Sequence, residues 1–198
     1  MKKHQTVKNN TMDPANTITC VVQTVKEMLA DRLCLVNGAL PVTNEETGAT
    51  QWSFVCPPLA VCVMINLTIA KLGVSDLAKM QEAGKKQASR LILVCNNFTT
   101  KSKKNLLSDP TSESFFTNEL IVNRSKHRDV PRHSIVRGQE RARVARNAYV
   151  AESDLSQFFP LIQTDDFMCR YLGGQAGDLV QIERQRGITY RVVVRKAP

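Results

Sequence analysis

Two of the three histidines in this 198-residue chain lie close together, in the stretch HRDVPRH at 127–133, with Asp129 between them. Imidazole and carboxylate groups bind metal ions and act as general bases, so this stretch raises both kinds of chemistry. Pro131 keeps the residue before it out of the helical conformation, which predicts an extended chain with residues 127, 129, 131 and 133 on one face of a strand. At ~3.3 Å per residue, His127 and His133 would lie about 20 Å apart, too far to share a metal. The spacing therefore favours polar residues that anchor a linker.

Other reactive side chains lack the partners that a catalytic or metal site needs. The six cysteines form no CxxC pair and several lie in apolar runs, which predicts reduced thiols packed as small core residues. There is no GxSxG motif, and none of the nine glutamates has a lysine two positions on, as metal-dependent nucleases usually require. Asp165 and Asp166 are expected to cap a short helix, and GGQAG (173–177) to form a tight turn. The sequence therefore predicts no catalytic residue, no metal and no cofactor.

Positive charge is the clearest global signal. The formal net charge is +9, and residues 124–198 account for +6 of it, with 14 basic against 8 acidic residues. Such a surplus favours polyanionic partners, nucleic acid among them. A polar segment at 96–104 follows a buried strand and is expected to be a loop that contacts DNA phosphates, an ordinary solvated loop being the alternative. The expected contact residues are Thr99, Thr100, Lys101, Lys103 and Lys104. A further set of arginines does not share one helix face: Arg137, Arg141, Arg143 and Arg146.

Apolar periodicity predicts a mixed arrangement of helices and strands in the first part of the chain. Residues 1–16 are polar and are expected to be a loose tail without a secretory signal. The longest apolar stretch, at 59–74, is too short and too interrupted to span a membrane. The elements expected here are helices at 17–32 (capped by Thr17) and 75–86 (capped by Ser75), strands at 51–56, 59–65 and 89–95, a turn at 44–48, and a strand or helix at 115–122.

The character of the chain changes near 123–126, where we expect a domain boundary. The second part is predicted to be a small α+β module that ends in a hairpin. The elements expected here are a strand at 130–136, helices at 138–149, 153–159 (capped by Ser153) and 165–173 (ended by a left-handed stop at Gly173-Gly174), and strands at 178–184 and 188–195 joined by the turn QRG.

The second module resembles a known family. HRDVPRH is similar to the H-x-x-VP-x-H signature of the fifth subunit of eukaryotic nuclear RNA polymerases, a family with an archaeal relative that lacks the first domain. FPLIQTDDFMCRYLGGQAGDLVQIER (159–184) is similar to the family's LP-x-I-x-x-x-DP-x-x-RY-x-G-x-x-x-G-x-VV-x-I-x-R. TVKEMLADR (24–32) and LILVCNNFTTKSKK (91–104) resemble parts of the eukaryotic N-terminal jaw domain. Phe167 in place of the family's proline, and a shortened last hairpin, indicate a divergent lineage or a paralogue that serves one polymerase.

The resemblance implies a non-catalytic structural subunit of DNA-directed RNA polymerase, located in the nucleus, or in the nucleolus if it serves polymerase I. An α/β jaw domain (17–123) would lie near downstream double-stranded DNA, and an α+β assembly domain (124–198) would dock on the largest subunit beside neighbouring small subunits. No membrane and no small-molecule ligand are expected. The implied subunit-interface residues are His127, Val130, Pro131, His133, Asp166, Arg170, Tyr171 and Gly173.

Two alternatives stay open. The charge alone is compatible with a free-standing basic DNA-binding protein, which would be recovered without large polymerase subunits. A nuclease-like enzyme is disfavoured because no Glu-x-Lys pair is present.

Overall fold

The computed structural model describes residues 14–32, 42–44, 49–56, 59–86, 88–109 and 111–195. The described residues divide into two compact units. The first takes in those within 1–25, 40–53 and 62–122, and the second those within 26–39, 54–61 and 123–198. The chain therefore has the mixed helix and sheet composition that the sequence predicts.

The first helix, α1 (Pro14–Asp31), begins before the predicted start. Pro14 suits the first helical position, where its missing N–H has no partner to lose. Residues 14–16, expected in the tail, are therefore helical, and the prediction of Thr17 as the cap is wrong. Residues 1–13 of the predicted tail, and 45–48 of the predicted turn, lie outside the described residues.

A five-stranded sheet runs in the order β1-β2-β3-β4-β5. Its strands are β1 (Val42–Asn44), β2 (Ala49–Cys56), β3 (Leu59–Asn66), β4 (Arg90–Cys95) and β5 (Ser112–Phe116). The strands predicted at 51–56, 59–65 and 89–95 are confirmed. The last two are runs of apolar and β-branched residues, as expected for buried strands. β4 and β5 pair in parallel, whereas β1 and β2 pair antiparallel.

Three helices accompany this sheet: α2 (Val74–Lys85), α3 (Thr100–Ser108) and the single turn α4 (Thr117–Leu120). Helix α2 is confirmed, but Gly73 precedes it without a side-chain cap, so the prediction of Ser75 as the cap is wrong. The segment predicted as a strand or a helix contains the end of β5 followed by α4. The prediction of a loop is confirmed for 96–99 but wrong for 100–104, because α3 begins at Thr100.

A half-buried carboxylate joins α2 to the segment before β5. Asp109 accepts hydrogen bonds from Lys85 Nζ (2.7 Å) and Gln81 Nε2 (3.1 Å). Its carboxylate also accepts from the hydroxyls of Thr111 and Ser112. Burial alone would raise the pKa of the Asp109 carboxyl, but the hydrogen bonds outweigh it and hold this pKa well below its usual range.

The second unit contains a four-stranded sheet in the order β6-β8-β9-β7. Its strands are β6 (Arg132–Val136), β7 (Leu161–Gln163), β8 (Leu179–Arg184) and β9 (Gly187–Val194). The predicted hairpin is confirmed, with Arg184 paired to Gly187 across a two-residue turn. Gly187 has φ +134°, which favours glycine. β7 was not predicted, because three residues are too few to show a period; it pairs in parallel with β9.

Helices cover both faces of this sheet. Helix α5 (Gly138–Asn147) and the start of α6 (Leu155–Phe158) pack on Val136, Leu179 and Val192. Helix α7 (Phe167–Tyr171) contributes Cys169 to the core on the opposite face, where it joins four strand residues: Ile162, Val180, Ile182 and Val193. The helices predicted over 138–149, 153–159 and 165–173 are thus present in shorter form. Asp154, rather than Ser153, precedes α6, after a 3-10 turn at Glu152–Asp154.

Candidate functional site

The hydroxyl- and lysine-rich stretch after β4 starts helix α3. Thr99 Oγ1 accepts a hydrogen bond from Ser102 N (3.2 Å), as an N-cap residue does. Ser102 is fully buried, and its hydroxyl donates to the carbonyl of Leu72 (3.0 Å). Leu106, one turn further on, is also buried. These buried contacts hold α3 in place. The sequence signal that could have predicted this helix is a threonine three residues before a serine and seven before a leucine.

The lysines of α3 lie on the exposed side of that helix. Lys101, Lys103 and Lys104 are exposed, and no ion pair joins them to an acidic side chain among the described residues. Lys103 Nζ lies 5.9 Å from the centre of the Phe116 ring, a cation–π distance. Thr100 is exposed beside them. The helix dipole places partial positive charge at the first turn, where it adds to the charge of the lysines. A phosphate at this end would therefore be stabilised by the lysines and by the N–H groups of the helix start.

The HRDVPRH stretch is a turn followed by a strand, so the prediction that residues 127, 129, 131 and 133 line one strand is wrong. Val130 N donates to the His127 carbonyl (3.0 Å), and Asp129 N donates to His127 Nδ1 (3.2 Å). The strand β6 begins after Pro131, whose carbonyl lies 2.7 Å from His133 Nδ1. Pro131 restricts only the backbone of the residue before it, so residues 127–129 are not forced to be extended. The local hydrogen bonds can therefore fold them into a turn.

Metal and thiol chemistry find no support in the described part of the chain. It contains no group of three or more His, Cys, Asp and Glu side chains that could hold a metal ion. Burial raises the pKa of the Cys62 thiol to about 11. Burial likewise raises the pKa of Cys95 and of Cys169 to about 12. These three are core residues, as predicted, and their thiolates are disfavoured.

Helix α7 is held at its start by the predicted cap. Asp166 Oδ1 accepts from Met168 N (2.9 Å) and Cys169 N (3.4 Å), which confirms the capping role. Arg170 Nε donates to the Asp165 carbonyl (3.2 Å), which ties the helix to the preceding turn. The Asp166 carboxylate therefore has a structural role as the cap of α7.

The hydroxyl of Tyr171 lies at the centre of a polar network. Tyr171 is 1% exposed, and its hydroxyl donates to Asp31 Oδ2 (2.9 Å) at the end of α1. Asn123 Nδ2 donates to the Tyr171 oxygen (3.2 Å) and to Glu27 Oε2 (2.6 Å). Hydrogen bonds inside the second unit thus join the end of α1 to α7 and to Asn123, which precedes a 3-10 turn at Arg124–Lys126.

Arg32 closes the other end of α7. Its Nε donates to the Tyr171 carbonyl (2.8 Å) and its Nη2 to the Arg170 carbonyl (2.6 Å), both in the last turn of α7. Gly173 has φ +68°, which confirms the predicted left-handed stop. A Cβ there would stand 3.2 Å from the Arg32 guanidinium. Sequence reasoning missed Arg32, because a side chain that acts about 140 positions away leaves no local pattern.

The predicted interface residues thus fall into two groups. Tyr171 is buried in its own unit, and Gly173 lies against Arg32, so these two shape the backbone rather than offer side chains to a partner. His127 and Asp166 are exposed, and the rest are half-buried: Val130, Pro131, His133 and Arg170. The exposed and half-buried members remain available for contact.

The family comparison concerns the second unit. Residues 122–194 match the family described as RNA polymerase Rpb5, C-terminal domain. This range contains the four-stranded sheet, α5 to α7 and the HRDVPRH turn. Over these residues the chain is similar to the C-terminal domain of an RNA polymerase subunit.

Curated relatives extend the match to most of the chain. It is similar to the DNA-directed RNA polymerases I, II, and III subunit rpabc1 of Dictyostelium discoideum, with 29% identity over 92% of this chain and 100% of that protein. The RPABC1 subunits of Caenorhabditis elegans and Caenorhabditis briggsae are each 33% identical over 63% of this chain. The match spans 62% of the length of each nematode protein. The chain is a relative of the fifth subunit of eukaryotic RNA polymerases, as the resemblance predicted.

No helix in the described part of the chain is both long enough and apolar enough to cross a membrane.

Proposed function

We propose that this chain is a non-catalytic structural subunit of a nuclear DNA-directed RNA polymerase. The observation that carries the proposal is the match of residues 122–194 to the Rpb5 C-terminal domain, together with similarity along the whole Dictyostelium subunit. In this proposal residues 124–198 form the assembly domain, which docks on the largest subunit beside neighbouring small subunits. Residues 17–123 form the jaw domain near downstream DNA. The protein acts in the nucleus, and in the nucleolus if it is dedicated to polymerase I.

The docking surface in this proposal includes the turn and strand at 127–133 and the exposed part of α7. His127 and Asp166 offer polar groups there, while Val130 and Pro131 offer half-buried apolar area. Arg32 and the Tyr171 network keep this backbone in place. Rigid backbone lowers the entropy that a partner must overcome on binding, which suits a permanent subunit.

The DNA-proximal surface in this proposal is the first turn of α3. The exposed lysines Lys101, Lys103 and Lys104, beside Thr99 and Thr100, would contact backbone phosphates without reading the base sequence. The rigid anchoring of Ser102 to Leu72 supports this role because it holds the helix end against thermal motion.

Assembly is tested by affinity purification of the tagged full-length chain at increasing salt. We expect the largest polymerase subunits to be recovered in stoichiometric amount and to remain after high-salt washing, since a permanent interface is mostly apolar. Recovery of the chain alone would refute the proposal and favour the free-standing DNA-binding protein. Polymerase recovered from one nuclear compartment would also identify which enzyme contains this chain.

The DNA contact is tested with polymerase reconstituted with Lys101→Glu/Lys103→Glu/Lys104→Glu. Reversing three charges is expected to shorten the lifetime of the elongation complex at low salt and to have less effect at high salt, since the screening length falls from about 30 Å at 0.01 M to about 8 Å at 0.15 M. Lys79→Glu, an exposed lysine of α2, is the matched control and should leave the lifetime unchanged. Equal effects of the triple and control variants would exclude α3 as a DNA contact.

A further inference from the structure

One end of a sheet face in the second unit is more exposed than the part that lies under α5 and α6. The side chains of Val136, Leu179 and Val192 lie on this face under α5 and α6. Alternation along each strand places the residues two and four positions away on the same face. The cross-strand rows beyond the covered half are Ser134–Gln181–Tyr190 and Arg132–Glu183–Ile188. We call these six residues the open sheet surface.

The open sheet surface has an apolar part that its own chain does not cover. Ile188 is 55% exposed, although Ile188 and the residues before and after it all pair with β8. Tyr190 is half-buried and packs edge-on against Phe159, with ring centres 5.9 Å apart. Phe158 and Leu161, on either side of Phe159 in sequence, are exposed as well. An exposed apolar side chain beside an aromatic pair offers a contact for one apolar side chain of a partner.

Arginines border this apolar part. Arg132 occupies the outer end of one row, and Arg186 lies in the turn at the hairpin end of the same sheet. Both are exposed, and neither forms an ion pair with a carboxylate of the described residues. The acidic residue in the row, Glu183, accepts a hydrogen bond from Gln181 Nε2 (3.2 Å). The border therefore carries a surplus of positive charge.

We propose that the open sheet surface docks an acidic segment of a partner protein, with an aromatic or aliphatic side chain of that segment seated against Ile188 and Tyr190. Carboxylates flanking this side chain would pair with Arg132 and Arg186 through bidentate hydrogen bonds. A centre of apolar and aromatic side chains inside a rim of arginine, without lysine, matches the composition of protein interfaces.

Other occupants fit less well. A second copy of this chain would bring the same arginines against themselves. The chain's own first 13 residues carry three lysines against one aspartate, which is the wrong sign. Nucleic acid would satisfy the arginines but leave Ile188 without an apolar partner.

Apart from Arg132, which lies within 127–133, this surface shares no residue with the docking surface proposed above. His133 pairs with Ile182, whose side chain lies in the core on the opposite face of the sheet. The inference therefore does not depend on assembly into a polymerase, and the two proposals can fail independently.

The test measures fluorescence anisotropy of labelled synthetic peptides with the full-length chain. The probe is a short peptide in which glutamates flank one phenylalanine, and the comparison peptides replace the phenylalanine by serine or the glutamates by lysine. We expect the serine peptide to bind about fivefold more weakly, because an apolar contact is lost, and the lysine peptide not to bind. Equal affinity for the phenylalanine and serine peptides would overturn the proposal without requiring any variant.

Variants then locate the contact. Ile188→Thr keeps a β-branched residue in the strand and should remove the preference for phenylalanine over serine. Arg132→Gln/Arg186→Gln should weaken binding of both acidic peptides, most strongly at low salt. Arg146→Gln, an exposed arginine at the end of α5, is the matched control and should change affinity by less than about twofold. A control effect as large as that of the double variant would mean non-specific attraction to a basic chain and would refute the proposal.

A short DNA duplex is added as a competitor to distinguish nucleic acid from protein. The proposal would be overturned if DNA displaces the peptide from the wild type but DNA itself no longer binds to Arg132→Gln/Arg186→Gln. The surface would then be a nucleic-acid surface. No displacement, together with normal assembly of Ile188→Thr into polymerase, would support a second protein interface.

Discussion

Removing one oxygen from Tyr171 tests whether the polar network holds the second unit together. In Tyr171→Phe the ring still fills its buried site, but the hydrogen bond to Asp31 Oδ2 and the one accepted from Asn123 are lost. A hydrogen bond to a charged group contributes about 1.5–3 kcal/mol, less where water can replace it. Asp31 is partly exposed and Asn123 still donates to Glu27. We therefore expect a loss of about 1–2 kcal/mol in the free energy of unfolding at neutral pH.

The loss should shrink in alkali. Burial, the largest cause, and the carboxylate of Asp31 raise the pKa of Tyr171 to about 12, although hydrogen bonds with Ser125 and Asn123 oppose this. A pKa raised on folding stabilises the folded state fully below the unfolded pKa of about 10, and that stability is lost as pH rises through 12. At pH 11 ionisation of Tyr171 has lowered the free energy of unfolding of the wild type by about 1.4 kcal/mol. Tyr171→Phe has no such group, so its free energy of unfolding is not lowered in this way.

The measurement is the difference in free energy of unfolding between the two proteins from pH 8 to 11, obtained from urea titrations followed by circular dichroism. Other groups titrate in this range, but they cancel in the difference. Tyr149→Phe is the control, since Tyr149 is 97% exposed and its removal should change neither the stability nor its slope with pH by more than about 0.5 kcal/mol. A gap that stays constant from pH 8 to 11 would refute the account of a buried, hydrogen-bonded hydroxyl.

Three further outcomes follow from other groups of the two units. Asp109→Asn should destabilise the first unit by about 1–3 kcal/mol at neutral pH. Because the folded pKa of Asp109 is lowered, this stability should be lost as pH falls below about 4, so the two unfolding free energies should converge in acid. Gly173→Ala should cost about 1–2 kcal/mol in thermal unfolding, because φ +68° strains a residue with a Cβ; an unchanged melting temperature would contradict this. Mass spectrometry after brief alkylation should find Cys62, Cys95 and Cys169 unmodified until the chain unfolds, and rapid labelling of any of them would show that its burial is transient.

Local patterns were sufficient for most of the strands. The runs at 59–65 and 89–95 are apolar and β-branched, and the chain at 178–195 alternates around a short turn, so their partners hardly alter the outcome. Helix α3 was missed because its apolar face consists of Ser102 and Leu106, and a buried serine does not count as apolar in a period. Its burial depends on the Leu72 carbonyl, thirty positions earlier.

The candidate sites were predicted unequally. The cap at Asp166 and the stop at Gly173 depend on neighbours within a few residues, and both are confirmed. The predicted extension of HRDVPRH is wrong over its first half, because hydrogen bonds to His127 fold that half into a turn. The residue types in HRDVPRH do not predict this turn, because Pro131 favours an extended conformation for the residue before it.

The sequence by itself determined the classes of element, the basic charge, the absence of known catalytic motifs and the resemblance to the fifth polymerase subunit, since all of these are read from types and spacings along the chain. Only the tertiary structure decided that Arg32 closes α7, that Tyr171 reaches Asp31, and that Arg132, Glu183 and Ile188 form one row. The physical reason is that these contacts depend on strand register and helix docking, which bring distant residues within hydrogen-bonding or van der Waals reach.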